Sequence, residues 1–198
     1  SYAEEAARMV DYLTNLGVRK FAVFYQDDPF GKSGMAGAEA ALQKQGLKLV
    51  ASGGYDRTKP EEVDAAAAAI AAGGPDAVIM VSVNRASSAF IRKLRAHGSG
   101  ARLFSISVVN FHELLKNAGE EHVRGVGISQ VMAFPYATTL PVAREFQQLM
   151  ARYQPGKTVS YASMESFVAA KVLVEAIRRS GPNPTRERVL QQLEGLNR

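Results

Sequence analysis

The sequence predicts an α/β fold in which a doubly wound, parallel-sheet lobe is followed by a purely helical segment. Three observations predict it. Short apolar runs of strand length alternate with amphipathic stretches up to residue 132, glycines close most of those stretches, and no strand-like run follows Phe134-Pro135.

The elements follow in order. Ala6, Met9, Val10, Leu13 and Leu16 recur at helical spacing, and Gly17 stands where a left-handed cap belongs, so residues 1–16 read as a helix. Residues 21–25, FAVFY, form a short apolar run after that glycine and read as a buried parallel strand. A loop over residues 26–30 leads into a helix carrying Met35, Ala38 and Leu42 and ending at Gly46. The alternation then repeats: strand 47–51, helix 60–72 with Pro60 in its first turn, strand 77–82, helix 86–97 stopped by Gly98, strand 103–107, short helix 111–117 and strand 126–132. Right-handed crossovers place the first four strands in the order 2-1-3-4. Beyond residue 132 come three helices, 141–153, 161–179 and 185–196. The middle one is apolar on nearly every side except a stripe of Lys171, Glu175 and Arg178, so it needs a partner surface that the chain after residue 132 does not contain.

Composition narrows the function classes. The 198 residues are 46% hydrophobic and 22% charged, which suits a globular chain. No apolar run approaches the roughly 20 residues that cross a bilayer. The opening residues read as a helix already under way, so the chain is expected to be trimmed from a longer one, with any export signal upstream. The absence of cysteine excludes disulfides, thiolate metal sites and cysteine nucleophiles. Net charge is +5, but the densest basic cluster, Arg85, Arg92, Lys93 and Arg95, has no interleaved aromatics and reads as a solvated helix face, so no nucleic-acid partner is expected.

Enzymatic motifs fail one by one. Gly31-Lys32-Ser33 lacks the glycine a phosphate loop needs five residues earlier, where Gln26 stands. No Gly-x-Gly-x-x-Gly follows the first strand. Asp27 and Asp28 resemble a receiver-type acidic pocket, but Ser82 and Met132 stand near the places of its further aspartate and lysine. His97, His112 and His122 have no partner at metal-ligand spacing, and Ser33, Ser82 and Ser107 have no nucleophile elbow. Neither catalysis nor a cofactor is expected.

One geometric argument holds. Ligands of open parallel sheets bind beyond the carboxyl ends of the strands. Those ends carry Tyr25, Gln26, Asp27, Asp28 and Phe30 after the first strand, Tyr55 beyond the second, Asn84 after the third and Ser107 at the end of the fourth. Aromatic rings with a few hydrogen-bonding groups suit a small-solute pocket. Asp28 reads better as a helix cap, and Tyr55 can also be a simple loop aromatic.

Residues 21–31, FAVFYQDDPFG, and residues 167–186, FVAAKVLVEAIRRSGPNPTR, resemble the leucine/isoleucine/valine-binding type of periplasmic solute receptor that feeds ABC importers. The resemblance spans essentially the whole chain and implies the type I periplasmic binding protein fold. Residues 1–132 then match lobe two, which carries the ligand site, and residues 133–198 match the helices that return to a largely missing lobe one. Phe30 matches a tyrosine that packs on the ligand, and Asn84 or its neighbour Val83 falls where another ligand-facing tyrosine lies. Tyr161 lies near a further aromatic of the family pocket. Ser107 departs from the pattern, falling where the family has a glutamate that pairs with the ligand's ammonium. Either Asp27 substitutes for that glutamate or the ligand has no α-amino group. The resemblance implies a periplasmic receptor that binds a small amino acid or a related acid or amide and docks transiently on a membrane permease. The other reading on the same fold is a cytoplasmic, amide-sensing regulator.

Overall fold

A computed structural model describes residues 1–197. The chain forms two compact units, the first spanning Ser1–Ser129 and the second beginning at Gln130.

The first unit opens with α1 (Tyr2–Asn15), whose start is fixed by a capping box between Ser1 and Glu4. Its apolar stripe of Ala6, Met9, Val10 and Leu13 is buried. Then β1 (Phe21–Gln26), α2 (Pro29–Lys44), β2 (Leu49–Tyr55), α3 (Asp64–Ala72), β3 (Ala77–Val81), α4 (Asn84–Ala96), β4 (Arg102–Ser105), α5 (Phe111–Ala118), α6 (Glu120–Val123) and β5 (Gly127–Ile128) alternate. The five strands form one sheet in the order β2-β1-β3-β4-β5, and every pair is parallel. The order expected for the first four strands is the one observed.

Helices cover both faces of this sheet. Phe21 and Val23 of β1 join Ile79 and Val81 of β3 in a cluster closed by α1 and α2. Ala22 and Phe24 point the other way, into a cluster with Val78, Met80 and the apolar faces of α3, α4 and α5. This two-sided burial is why the central strands are apolar at consecutive positions. Phe24 lies between two rings, 4.0 Å from Phe90 and 5.1 Å from Tyr55. The helices α1 and α2 approach closely at Gly37, where a Cβ would stand 2.2 Å from the carbonyl oxygen of Ala3.

Several boundaries differ from expectation, each for a physical reason. Strand β2 pairs along the whole of β1, from Phe21↔Leu49 to Gln26↔Tyr55. As an edge strand it alternates along its whole length between exposed positions and partly or fully buried ones, so its apolar run breaks off before the strand does. Tyr55 therefore ends β2 instead of lying beyond it. Helix α3 begins at Asp64, because Pro60 sits in a preceding turn. Helix α4 begins at Asn84, two residues earlier than expected. Strand β4 stops at Ser105, which puts Ser107 beyond it, and β5 is only the pair Gly127–Ile128. The short helix α6 was not expected.

The second unit contains α7 (Pro141–Tyr153), α8 (Tyr161–Arg179) and α9 (Arg186–Glu194), followed by a 3-10 turn at Gly195–Asn197. A small core of Ala143, Phe146 and Met164 holds α7 against α8, with Phe146 and Phe167 in ring contact at 5.3 Å. Among the described residues this unit has no strand. Helix α8 buries only Met164 and Ala176, and Val172, Leu173, Val174 and Ile177 are exposed. No described helix is long and apolar enough to cross a membrane.

Candidate functional site

At the carboxyl edge of the sheet the geometry starts with Asp28. Its extended backbone and short carboxylate cap α2, accepting the N–H groups of Phe30 at 3.0 Å and Gly31 at 3.2 Å. The side-chain amide of Gln26 donates to the same carboxylate at 2.7 Å, and Arg57 lies 3.9 Å away. The Gln26 bond, then the two backbone donors and Arg57, hold the Asp28 carboxyl below its ordinary range.

The chain of bonds continues inward. Tyr55 donates its hydroxyl to Gln26 Oε1 at 2.8 Å and accepts the Val83 N–H at 3.3 Å. It is 3% exposed, and burial pushes its phenol up to about 12. The ring lies in the core, stacked on Phe24, so Tyr55 supports this edge from the inside. Through Tyr55, Gln26 and Asp28 the connections after β1, β2 and β3 are tied together.

The other expected residues divide clearly. Tyr25 is half-buried against the α1–α2 cluster. Asp27 is exposed and pairs with Lys32 at 2.8 Å, so its carboxylate already has a cationic partner. Phe30 meets Tyr2 edge to face, with centroids 4.9 Å apart. Asn84 Oδ1 accepts the Asn110 N–H at 2.8 Å, which joins the connections after β3 and β4. Ser107 donates both its N–H, at 2.9 Å, and its hydroxyl, at 3.0 Å, to the carboxylate of Glu5. Ser129 donates to the same carboxylate at 2.6 Å. Tyr25, Asp27, Phe30, Asn84 and Ser107 thus share the carboxyl edge of the first unit. Tyr161 belongs to the second unit, where it opens α8 behind the capping residue Ser160, with its ring 6.3 Å from that of Phe134.

Sequence reasoning missed Tyr2, Glu5 and Ser129. A usable signal existed. Helix α1 packs with α2 on one face of the sheet and hands over to β1 through a turn at Gly17, so its first turn must return to the carboxyl edge. Tyr2 and Glu5, three residues apart, then share a face there.

A family model described as periplasmic binding protein matches residues 1–197. The chain belongs to that family. A substrate-binding periplasmic protein from Ralstonia solanacearum is 36% identical and superimposes with a TM-score of 0.90, covering 100% of this chain and 56% of that one. A protein from Rhodopirellula baltica described as a possible leucine/isoleucine/valine-binding protein is 30% identical with a TM-score of 0.88, over 99% of this chain and 54% of its own. Among curated proteins, an amino acid binding protein of Pseudomonas aeruginosa is 30% identical over 169 residues, 81% of this chain and 43% of the relative. The chain therefore spans about half the length of the periplasmic binding proteins it matches.

Proposed function

We propose that this chain forms part of a periplasmic receptor that binds a small amino acid, or a related acid or amide, and presents it unaltered to an ABC permease. In this reading residues 1–132 are the ligand-carrying lobe, and residues 133–198 are helices of the other lobe. The observation that carries it is the carboxyl edge of the first unit. Side chains from the starts of α1, α2 and α4 and from the connection after β4 converge there on a sheet whose interior is fully packed. The edge offers an aromatic pair, the exposed Tyr2 and the half-buried Phe30, together with the carboxamide of Asn84 and the carboxylate of Glu5. That mixture of apolar wall and a few fixed polar atoms fits a small polar solute. The amino-acid class is supported by what the Pseudomonas and Rhodopirellula relatives are described as binding.

The test is a thermal-shift screen of the full-length protein against the L-amino acids, their des-amino acids and their amides. A true ligand at 100 times its dissociation constant stabilises by about 2.7 kcal/mol, a readily measured rise in Tm. A flat response across all three classes sinks the reading.

A further inference from the structure

We infer that Glu5 is the group that receives a positively charged amine on the bound solute, which selects amine-bearing ligands over their des-amino counterparts. The inference rests on the amino-acid-class reading above and deepens it. Three observations carry it.

The first is position. Glu5 sits one turn into α1, and its carboxylate is seated on Ser107 and Ser129, just past β4 and β5 at the carboxyl edge. The second is electrostatic. Its three donors, the Ser107 N–H and the hydroxyls of Ser107 and Ser129, are all neutral, and no lysine, arginine or histidine among the described residues pairs with it. The other two carboxylates of the edge differ, since Asp27 is paired with Lys32, and Asp28 is spent on the α2 cap with Arg57 close by. Neutral donors fix a carboxylate in place and offset its desolvation, but they leave its charge uncompensated. The third is capacity. Oε2 takes two of the donors and Oε1 only one, so Oε1 retains a lone-pair site. Glu5 is only partly buried, and on the same helix face Tyr2 carries the ring that meets Phe30. An aliphatic amine can thus place its ammonium on Oε1 and its carbon chain on the rings. Ser107 then serves by aiming Glu5, and Asp27 is not the ammonium partner.

The test uses the full-length protein and isothermal calorimetry with the best L-amino acid from the screen and its des-amino acid. Glu5→Gln keeps the shape and removes the charge, and Ser129→Ala removes one clamp bond but keeps the carboxylate. The inference expects Glu5→Gln to weaken amino-acid binding about tenfold or more, and Ser129→Ala, which loosens the seat but keeps the charge, to cause a clearly smaller loss. Melting curves of both variants confirm folding, and Glu5→Ala, which also removes the charge and carries the same expected loss, serves in place of Glu5→Gln should the latter not fold. Equal losses in Glu5→Gln and Ser129→Ala, or unchanged binding in Glu5→Gln, would show Glu5 to be only a clamp. Binding of the des-amino acids alone would overturn the inference while leaving the receptor reading intact. If neither class binds the parent protein, the receptor reading fails and takes the inference with it.

Discussion

Tyr55 joins two loops from inside the core through one hydroxyl. Removing that oxygen leaves Gln26 Oε1 and the Val83 N–H without their partner, and unsatisfied buried groups cost about 1–3 kcal/mol. Tyr55→Phe should therefore lower unfolding free energy by that amount in urea titrations, although it deletes no apolar contact. The phenol also sets an alkaline limit. Its folded pKa, about 12, lies above the unfolded value, so its contribution is complete below about pH 10 and is lost as pH rises toward 12. Asp28 acts at the other end of the scale. Its folded pKa is depressed, so its contribution is present above about pH 4 and disappears as pH falls through the folded value. Melting temperatures measured against pH should fall less steeply in acid for Asp28→Asn than for the parent. The sequence displays Phe30, Asn84 and the capping role of Asp28, because each follows directly from a strand end. The place of Glu5 at this edge could have been read from the start of α1, but its pairing could not, because its partners lie 102 and 124 residues away and no local pattern encodes such a contact.

The central elements were legible and the sheet edges were not. Strands β1 and β3 are buried on both faces and announce themselves as unbroken apolar runs. Strand β2, half exposed, and the two-residue β5 carry too little apolar sequence for their limits to be read. Helices α7 and α8 were found at their observed ends, where Pro141 opens one and Ser160 caps the other. The packing of α1 on α2 was invisible, since Gly37 looks like any helix glycine until Ala3 is placed beside it. Gly37→Ala tests that contact. In an isolated helix alanine is favoured over glycine, but here the new methyl meets backbone that must move, and overpacking of this kind costs about 1–3 kcal/mol. Chemical denaturation should show net destabilisation. Stabilisation would mean that the two helices separate at little cost.

For the molecule as a whole, the difference between its units matters most. The first buries a complete two-faced core, whereas the second leaves much of α8 open. Exposed apolar side chains in this number on one helix promote association. Val174, 63% exposed, is the most open of these positions, so Val174→Lys should reduce self-association of this chain in sedimentation experiments and leave its melting temperature nearly unchanged. The sequence signalled this helix as apolar almost all round, but what covers such a helix is not written in the helix itself.

The strand order also governs how the chain emerges during synthesis. Strand β1, an interior strand of the sheet, is the first of the five to be made, yet both of its neighbours, β2 and β3, come later. With the ribosome adding roughly 5–20 residues per second, β1 waits about 1.5–6 seconds before even β2 is complete. For that interval FAVFY is a nascent apolar segment without a partner strand of its own sheet. The chain's yield of folded protein in a cell is therefore expected to depend on translation speed between Gln26 and Tyr55.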